Sequence, residues 1–374
     1  MKMKKIVFLT GTRADFGKIK SLITILEAHP NFEPFVFVTG MHLLEEYGYT
    51  LIEVERCGFT NIHTFANQTH ETTMDLTLAK TVKGFSAFIK KINPDMIVVH
   101  GDRVEALAGA LVGSLNNLLV AHIEGGEVSG TIDELIRHST SKMSHIHFVA
   151  NKLAKTRLIQ MGEISESIFI IGSPDVDTMF SNKLPNLEEV CKYYEIPFKN
   201  YGIAMFHPIT TEIDNIDKYI LNFTNAMVDS EKNFVVVYPN NDLGSSIIIS
   251  AFKKLKDNNR FRIIPSIRFE YFLVLLKHAK FIIGNSSAGI REAPYYGIPT
   301  INIGTRQENR ALHGHIINSG YSYEEIISAL NSYLEKVEPD KQSFGNGKSD
   351  VLFLESLLQT SVWSINHQKQ FVTL

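Results

Sequence analysis

Short apolar runs alternate with helix-length segments of mixed polarity along almost the whole chain, and this alternation restricts the fold more than any other feature. Continuous apolar runs of three to five residues are typical of strands buried on both faces. Their alternation with helices indicates right-handed crossovers and a parallel sheet. The predicted fold class is therefore α/β, with doubly wound parallel sheets. The runs lie at residues 6–9, 35–38, 96–99, 119–122, 146–149, 168–171, 202–206, 234–238, 261–264, 281–283 and 301–303.

A less regular stretch at residues 173–199 separates the first six runs from the last five. It contains three prolines, which interrupt helices and strands, so we interpret it as a linker. We expect two Rossmann-like domains, an N-terminal one at residues 1–180 and a C-terminal one at 190–350. Residues 351–374 have leucines at helical spacing and are expected to form a helical tail that packs across the body. Two such domains that face each other would leave a cleft between them.

Composition excludes several classes of protein. The 374 residues are 44% hydrophobic and 21% charged, with a formal net charge of −3, so neither a nucleic-acid partner nor a membrane surface is expected. The two cysteines, Cys57 and Cys191, are far apart and fit free thiols in a reducing compartment. The apolar run at 6–9 is too short for a signal peptide, so a cytoplasmic location is predicted. Histidines 138, 145 and 147 lack metal-ligand spacing, and no metal site is expected.

The segment GNSSAGIRE, at residues 284–292, is the strongest candidate for a phosphate-binding turn. Small residues follow an apolar run at the point where a strand turns into a helix, which presents backbone N–H groups to an anion. Ser286 and Ser287 add hydroxyl donors, and Glu292 is placed to accept hydrogen bonds from a ribose diol. The alternative is an ordinary serine-capped helix.

Charged residues follow three runs in the first half of the chain. Asp102 and Arg103 come directly after the run at 96–99, where the alternative is a carboxylate that caps the next helix. Glu124 and Asp133 follow the run at 119–122. Since ligands of open α/β sheets bind beyond the carboxyl ends of the strands, we expect these carboxylates to converge at one site and to transfer protons.

Two arginines accompany these carboxylates. Arg137 is four residues after Asp133, so an ordinary salt bridge on one helix face is the alternative for that pair. Arg13, in the turn after the first run, is placed to reach an anion together with backbone amides, or else it is a capping or surface residue. Two glycines after Glu124, Gly125 and Gly126, suggest a close approach of the backbone to a ligand.

Polar residues also follow the runs of the second half. His207 is suited to stabilise a leaving phosphate, and the backbone of Ile267 is placed to read a base edge. Asn240 and Arg306 end two further runs. One such site would be weak evidence, but five at successive strand ends favour a ligand site.

Taken together, these stretches resemble the hydrolysing UDP-N-acetylglucosamine 2-epimerases, and most closely those of bacterial sialic-acid pathways. The resemblance covers essentially the whole chain and implies a GT-B fold that holds UDP mainly in the C-terminal domain. The matching stretches are GTRADFGK at 11–18, HGDR at 100–103, HIEGGEVSGTIDELIRHS at 122–139, FHPITT at 206–211, PNND at 239–242, GNSSAGIRE at 284–292 and NIGTRQ at 302–307.

The resemblance also implies roles for individual residues. They are acid/base carboxylates at Asp102, Glu124 and Asp133; diphosphate contacts at Arg13, His207, Ser286 and Ser287; nucleotide and ribose contacts at Asn240, Ile267 and Glu292; and charge balance at Arg103, Arg137 and Arg306. The implied reaction converts UDP-GlcNAc and water into N-acetylmannosamine and UDP by way of a glycal, without a metal ion or redox cofactor. A homo-oligomer, dimer or tetramer, is expected because family members are commonly so.

Four other functions stay open from the sequence. A non-hydrolysing epimerase would retain UDP on the product, but the Gly-Thr-Arg-Pro-Glu start usual in that family is absent. A hydrolysing enzyme of the legionaminic acid pathway would use the same carboxylates on a 2,4-diacetamido-6-deoxy UDP-sugar. A GT-B glycosyltransferase would not need three carboxylates beside the sugar. A catalytically silent UDP-sugar sensor would not need them either.

Overall fold

The structure, a computed structural model, describes residues 3–68, 73–307, 316–332, 338–339, 344–370 and 372. The strands, numbered along the chain, are β1 (Lys4–Thr10), β2 (Phe32–Val38), β3 (Ile62–Thr64), β4 (Met96–His100), β5 (Leu119–Ile123), β6 (Ile146–Val149), β7 (Ile168–Ile170), β8 (Gly202–Met205), β9 (Phe234–Val237), β10 (Phe261–Ile264), β11 (Phe281–Gly284), β12 (Thr300–Ile303) and β13 (Ile316–Ser319).

The α-helices are numbered in the same way. They are α1 (Arg13–Glu27), α2 (Leu51–Glu55), α3 (Met74–Ile92), α4 (Val104–Leu115), α5 (Ile132–Met143), α6 (Lys152–Gln160), α7 (Pro174–Met179), α8 (Leu187–Tyr193), α9 (Ile216–Asp229), α10 (Ser245–Lys253), α11 (Phe269–His278), α12 (Ala288–Arg291), α13 (Tyr323–Ser332), α14 (Ser349–Leu358) and α15 (Thr360–Trp363). None of these helices, over the residues described, is long and apolar enough to cross a membrane.

The chain divides into two compact units. Unit 1 comprises Met1–Glu127, Asp133–Ser181 and Gln342–Leu374, and unit 2 comprises Val128–Ile132 and Asn182–Lys341. Each unit contains one wholly parallel sheet, and helices connect most pairs of successive strands. The predicted class, two doubly wound parallel sheets, is thereby confirmed. The predicted domain boundaries stay a prediction, because the two compact units do not show which segments fold independently.

The sheet of unit 1 has the strand order β3-β2-β1-β4-β5-β6-β7. Strand β1 explains why the apolar runs are continuous, since successive side chains enter cores on opposite faces. Ile6 and Phe8 pack in one core cluster, to which α14 contributes Phe353, whereas Val7 and Leu9 pack in another. The ring centroids of Phe8 and Phe353 are 6.3 Å apart. The C-terminal helices therefore complete the core of unit 1.

The sheet of unit 2 repeats the same plan with the order β10-β9-β8-β11-β12-β13. Its first strand, β8, lies in the middle, and one core cluster includes Phe234 and Phe281, whose rings meet edge to face at 5.9 Å. In both sheets the strand order reverses beside the first strand. The reversal falls between β1 and β4 in unit 1 and between β8 and β11 in unit 2, and such switch points are where open α/β sheets bind ligands.

Three local elements differ from what the apolar pattern predicts. The alternation predicts a helix after the run at 35–38, but Gly40–Leu43 and Glu45–Tyr47 are separate 3₁₀ turns before the short helix α2. Gly48 ends the second turn at a φ of 86°, which stops a continuous helix. The edge strands β3 and β13 were not predicted, because short edge strands carry polar residues that hide the apolar signal.

Candidate functional site

Arg137 is the centre of the charged group in unit 1. Its side chain is 1% exposed, Nη2 donates to Oδ2 of Asp102, and Nη1 donates to the Glu127 carbonyl at 3.3 Å. Burial lowers the pKa of the Arg137 guanidinium, but nearby carboxylates raise it more, so that it lies above its ordinary value. These carboxylates belong to Asp102, Glu124, Glu127 and Asp133. The loops after β4 and β5 and the start of α5 thus bring the three predicted acid/base residues around one buried cation.

Glu124 is held in a restricted conformation directly after β5. Its φ is 70°, a left-handed value that costs free energy for a residue with a side chain. Its N–H donates to the Phe148 carbonyl at 3.0 Å, and Oε2 lies 2.8 Å from His100 Nε2 and 3.3 Å from Lys18 Nζ. Lys18 also pairs with Asp175 at 3.4 Å. These contacts fix the position of the Glu124 carboxylate between the Lys18 ammonium and the His100 imidazole.

His122 connects the elements that carry the carboxylates. It is fully buried, and burial lowers its pKa to about 3, so the ring is neutral. Nε2 lies 2.8 Å from the Gly101 carbonyl and must donate to it, which leaves Nδ1 to accept from the Ser141 hydroxyl at 2.9 Å. His122 therefore ties the loop of Asp102 to α5, the helix of Arg137.

In the turn after β1, two backbone amides donate hydrogen bonds to a nearby side chain. The Asp15 carboxylate accepts from Gly11 N–H at 3.0 Å and from Thr12 N–H at 3.1 Å, and Thr12 in turn caps α1. Burial raises the pKa of Asp15, although these hydrogen bonds oppose the shift. The expectation that these amides bind an anion is wrong. The Arg13 side chain stays the predicted anion contact in this turn.

The two glycines after Glu124 have a different role from the one predicted. A Cβ on Gly125 would lie 2.9 Å from Ser141 Oγ, and a Cβ on Gly126 would lie 2.2 Å from the Ala154 carbonyl oxygen. Gly126 also has a φ of 76°. The small residues are thus required by close packing of the chain against itself.

Asn285 occupies the corresponding central place in unit 2. It is fully buried directly after β11, and its side chain bonds to both backbone groups of His207, which follows β8. The Asn285 carbonyl accepts from Arg306 Nη1 at 3.2 Å and from Gln307 Nε2 at 2.8 Å. His207 Nδ1 accepts from the Asn240 N–H, after β9, at 3.3 Å. The loops after four neighbouring strands are thereby joined.

The GNSS turn is followed by a shorter helix than expected. Helix α12 has four residues and continues as a 3₁₀ turn at Ala293–Tyr296, so its dipole is small. Ser286 Oγ accepts from the Ala288 N–H at 3.3 Å in a local serine turn, whereas Ser287, the N-cap residue of α12, makes no side-chain cap bond. Glu292 is 4% exposed at the end of the turn. What the turn offers an anion is therefore hydroxyl groups rather than a long helix.

Two other predicted residues are Arg103 and Ile267. Arg103 Nε bonds to Oε2 of the buried Glu105 at 3.3 Å, which places it at the start of α4. Ile267 is buried after β10, two strands away from β8. Gly130 belongs to unit 2, where its N–H donates to the Arg306 carbonyl at 3.2 Å.

Sequence reasoning missed five residues that organise the site. His100, His122 and Asn285 stand at strand ends, and the strand-end rule could have found them. Lys18 and Gln307 gave no such signal, because their contacts depend on how distant segments pack. Within the residues described, no three His, Cys, Asp or Glu side chains are grouped to hold a metal ion. Histidines 145 and 147 are buried, as expected of core residues.

Two Rossmann-like units with polar groups at both switch points define a GT-B-like α/β protein. A solved structure with this fold is that of the Methanocaldococcus jannaschii UDP-GlcNAc 2-epimerase in complex with UDP-GlcNAc and UDP. It is 26% identical, with a TM-score of 0.82 over 94% of this chain and 99% of that one. The sequence profile of the UDP-N-acetylglucosamine 2-epimerase family matches residues 24–358. The chain belongs to this family.

Three relatives are more similar in sequence to this chain than the Methanocaldococcus enzyme is. The UDP-N-acetylglucosamine 2-epimerase of Neisseria meningitidis serogroup B is 49% identical over the full length of both chains. The polysialic acid biosynthesis protein P7 of Escherichia coli is 34% identical over 88% of this chain and 86% of its own. The hydrolysing UDP-N,N'-diacetylbacillosamine 2-epimerase of Legionella pneumophila is 32% identical over 93% of each chain.

Proposed function

We propose that the protein is a hydrolysing UDP-GlcNAc 2-epimerase, which converts UDP-GlcNAc and water into N-acetylmannosamine and UDP for sialic acid synthesis. The observation that carries the proposal is the group of carboxylates near buried Arg137, where Asp102 forms an ion pair with it and Glu124 and Asp133 help to raise its pKa. Inversion at C2 needs an acid or base on each face of the sugar, and hydration at C1 needs a third group to activate water. Three carboxylates whose charges all act on one buried cation would meet that requirement.

The proposed chemistry begins with departure of UDP. The C2 proton has no adjacent carbonyl to acidify it, so the C1–O bond breaks first or nearly so, and positive charge develops at C1. One carboxylate then removes the C2 proton, which gives a glycal. Water adds at C1, and C2 receives a proton on the opposite face. Each positioned acid or base contributes about 10²–10⁴-fold to such a step.

Unit 2 is proposed to stabilise the leaving diphosphate. Since His207 Nδ1 accepts from the Asn240 N–H, Nε2 of the ring carries a proton and can donate to a phosphate oxygen. Ser286 and Ser287 stand in the adjoining turn beside Asn285. Donors preorganised where negative charge develops are worth most in the transition state. Glu292, Asn240 and Ile267 are proposed to bind the nucleoside.

A second candidate substrate comes from the Legionella relative, which acts on a diacetamido sugar nucleotide. The Neisseria protein, at 49% identity over its full length, favours UDP-GlcNAc instead. Both reactions would use the same carboxylates, and only the contacts near C4 and C6 of the sugar would differ.

Product analysis with both sugar nucleotides tests the proposal. Purified protein is incubated with UDP-GlcNAc or with UDP-2,4-diacetamido-2,4,6-trideoxyglucose, and the nucleotide and sugar products are separated and quantified. We expect equimolar UDP and free N-acetylmannosamine from the first substrate, with much slower turnover of the second. UDP-N-acetylmannosamine without released UDP would show a non-hydrolysing enzyme. Exclusive turnover of the diacetamido sugar would assign the protein to the second candidate.

Two further features are part of the proposal. The thiols of Cys57 and Cys191 are not joined in a disulfide, which supports a cytoplasmic location, where reduced cysteines persist. A homo-oligomer is proposed as the working form, and light scattering after size exclusion would measure its mass.

A further inference from the structure

The Asn285 side chain forms a two-way bond with the backbone of His207. Its Oδ1 accepts from the His207 N–H at 2.6 Å, and its Nδ2 donates to the His207 carbonyl at 2.8 Å. The two residues are 78 positions apart in the chain and follow the two strands that flank the switch point of unit 2. A side-chain amide thus takes both backbone groups of His207, much as a neighbouring strand would.

Asn285 itself is fixed by its own backbone. Its N–H donates to the Met205 carbonyl at 3.0 Å, and its carbonyl accepts from Arg306 and Gln307. Just before it, Gly284 has a φ of 127°, and a Cβ there would lie 1.9 Å from the Met205 carbonyl oxygen. The chain can therefore approach β8 closely enough for the Asn285 side chain to reach His207.

The bonds from Asn285 fix the backbone of His207, and the bond from the Asn240 N–H orients its ring. With both of its backbone groups bonded and Nδ1 accepting from Asn240, the residue has little freedom, and Nε2 is left as the donor. Ser286 and Ser287 follow Asn285 directly in the chain. One buried amide therefore sets the position of the imidazole relative to the two hydroxyls.

We propose that Asn285 is a positioning residue for diphosphate recognition, which holds the His207 ring and the Ser286–Ser287 turn in register. The inference rests on the proposed function, because it takes UDP as the ligand of this turn. Asn285 itself does not touch the diphosphate and acts through His207. Aspartate cannot replace it, since a carboxylate cannot donate to the His207 carbonyl and would place a negative charge beside the diphosphate.

Asn285→Asp and Asn285→Ala test the assignment by calorimetric titration with UDP. We expect UDP to bind at least 10-fold more weakly to both variants. Asn302→Ala is the matched control, since Asn302 is a buried asparagine on β12 that bonds to Asn318 at 2.9 Å. Its melting temperature should fall about as far, while its UDP affinity stays within about 2-fold of the wild type.

A spectroscopic signature separates positioning from a loss of stability. In ¹⁵N-histidine NMR spectra the wild-type His207 should show the neutral tautomer protonated at Nε2, with the signal assigned by its loss in His207→Gln. Asn285→Ala should show a mixture of tautomers. Gln307→Met is a milder variant, because it removes one bond to the Asn285 carbonyl and leaves the side-chain pair intact. It should keep the wild-type tautomer and weaken UDP binding only about 3-fold.

The outcomes are distinct. Wild-type affinity for UDP in a folded Asn285→Asp or Asn285→Ala variant would overturn the positioning role and leave the proposed function standing. An equal loss of affinity in Asn302→Ala would also overturn it, since any buried amide would then have the same effect. A wild-type chain that does not bind UDP would overturn the proposed function and this inference together. If Asn285→Ala does not fold, Gln307→Met decides. A mixture of His207 tautomers together with wild-type affinity for UDP in that variant would contradict the inference.

Discussion

Arg137 and Asp102 form an ion pair whose two ends differ in exposure, with the Arg137 side chain 1% exposed and the Asp102 side chain 28% exposed. The cation is enclosed by protein, whereas part of its partner faces outward. A buried charge is tolerated only when it is compensated, and here the surrounding carboxylates provide that compensation. The ion pair thus exposes part of the Asp102 carboxylate beyond the carboxyl end of β4, while the Arg137 guanidinium that holds it stays buried.

Neutral amides at the three carboxylates should abolish most turnover. We expect Asp102→Asn, Glu124→Gln and Asp133→Asn each to lower kcat by at least about 10²-fold, because a positioned acid or base contributes about 10²–10⁴-fold. UDP affinity should change little, since the proposed diphosphate contacts other than Arg13 are in unit 2. Steady-state kinetics and UDP titration measure the two quantities separately.

Asp95→Asn is the matched control for these amide variants. Asp95 precedes the same strand, β4, at its opposite end, where it bonds to Lys4 Nζ at 2.7 Å and to the Lys5 N–H at 2.9 Å. It should lose stability but keep kcat. A carboxylate whose amide variant retains near-full turnover has no acid or base role.

Ser141→Ala should slow catalysis through His122. The Ser141 hydroxyl donates to His122 Nδ1, and this bond keeps Nε2–H directed at the Gly101 carbonyl, next to Asp102. Without it the loop that carries Asp102 becomes less constrained, so we expect kcat to fall about 3–10-fold with UDP affinity unchanged. A fall in UDP affinity with no change in kcat would show that this bond does not serve the carboxylates.

Glu163 should make the protein sensitive to acid. Despite its burial, bonds to His147 at 3.0 Å and to Lys369 and Lys142 at 2.6 and 2.8 Å lower the pKa of this carboxyl from 4.5 to about 2. The folded state therefore binds fewer protons than the unfolded state between these values. The resulting stability, about 1–3 kcal/mol, is present above pH 4.5 and is lost as the pH falls towards 2.

Urea unfolding of Glu163→Gln at several pH values checks this assignment. The variant should be less stable than the wild type at pH 7, because two lysines lose their partner, but its stability should fall less steeply between pH 4.5 and 3. An acid slope equal to that of the wild type would mean that other carboxylates cause the sensitivity.

Gly126→Ala separates backbone strain from steric packing. Gly126 has a φ of 76°, and an added Cβ would lie 2.2 Å from a backbone oxygen of Ala154. Gly58 has a similar φ of 71°, but an added Cβ there would meet nothing within 4 Å. We expect Gly58→Ala to cost about 1 kcal/mol of unfolding free energy and Gly126→Ala clearly more, by urea denaturation. Equal losses would show that the contact with Ala154 relaxes freely.

Periodicity predicted the fold, and the strand-end rule selected most residues of the candidate site. Both rest on local facts, since a buried parallel strand is apolar throughout and its carboxyl end is where ligands bind. Asn285 illustrates the limit, because the GNSS segment was found but its first polar residue was not recognised as the one that bonds to His207. That contact spans 78 residues and depends on strand order, which local pattern does not show.

The misread features have physical reasons as well. The turn amides at Gly11 and Thr12 looked available to an anion, yet Asp15, four residues after Gly11, satisfies them. The pair Gly125–Gly126 suggested a ligand, whereas the space is occupied by other parts of the chain. In both cases the sequence indicates a turn or a close approach of the backbone, but it does not show whether a ligand or another part of the chain makes the contact.

Turnover of UDP-GlcNAc in D₂O, followed by ¹H NMR, tests the central claim most directly. The account predicts release of UDP together with free N-acetylmannosamine that carries deuterium at C2, because the proton removed from one face is replaced from solvent on the other. Free N-acetylglucosamine with hydrogen retained at C2, or UDP-N-acetylmannosamine with no release of UDP, would contradict it.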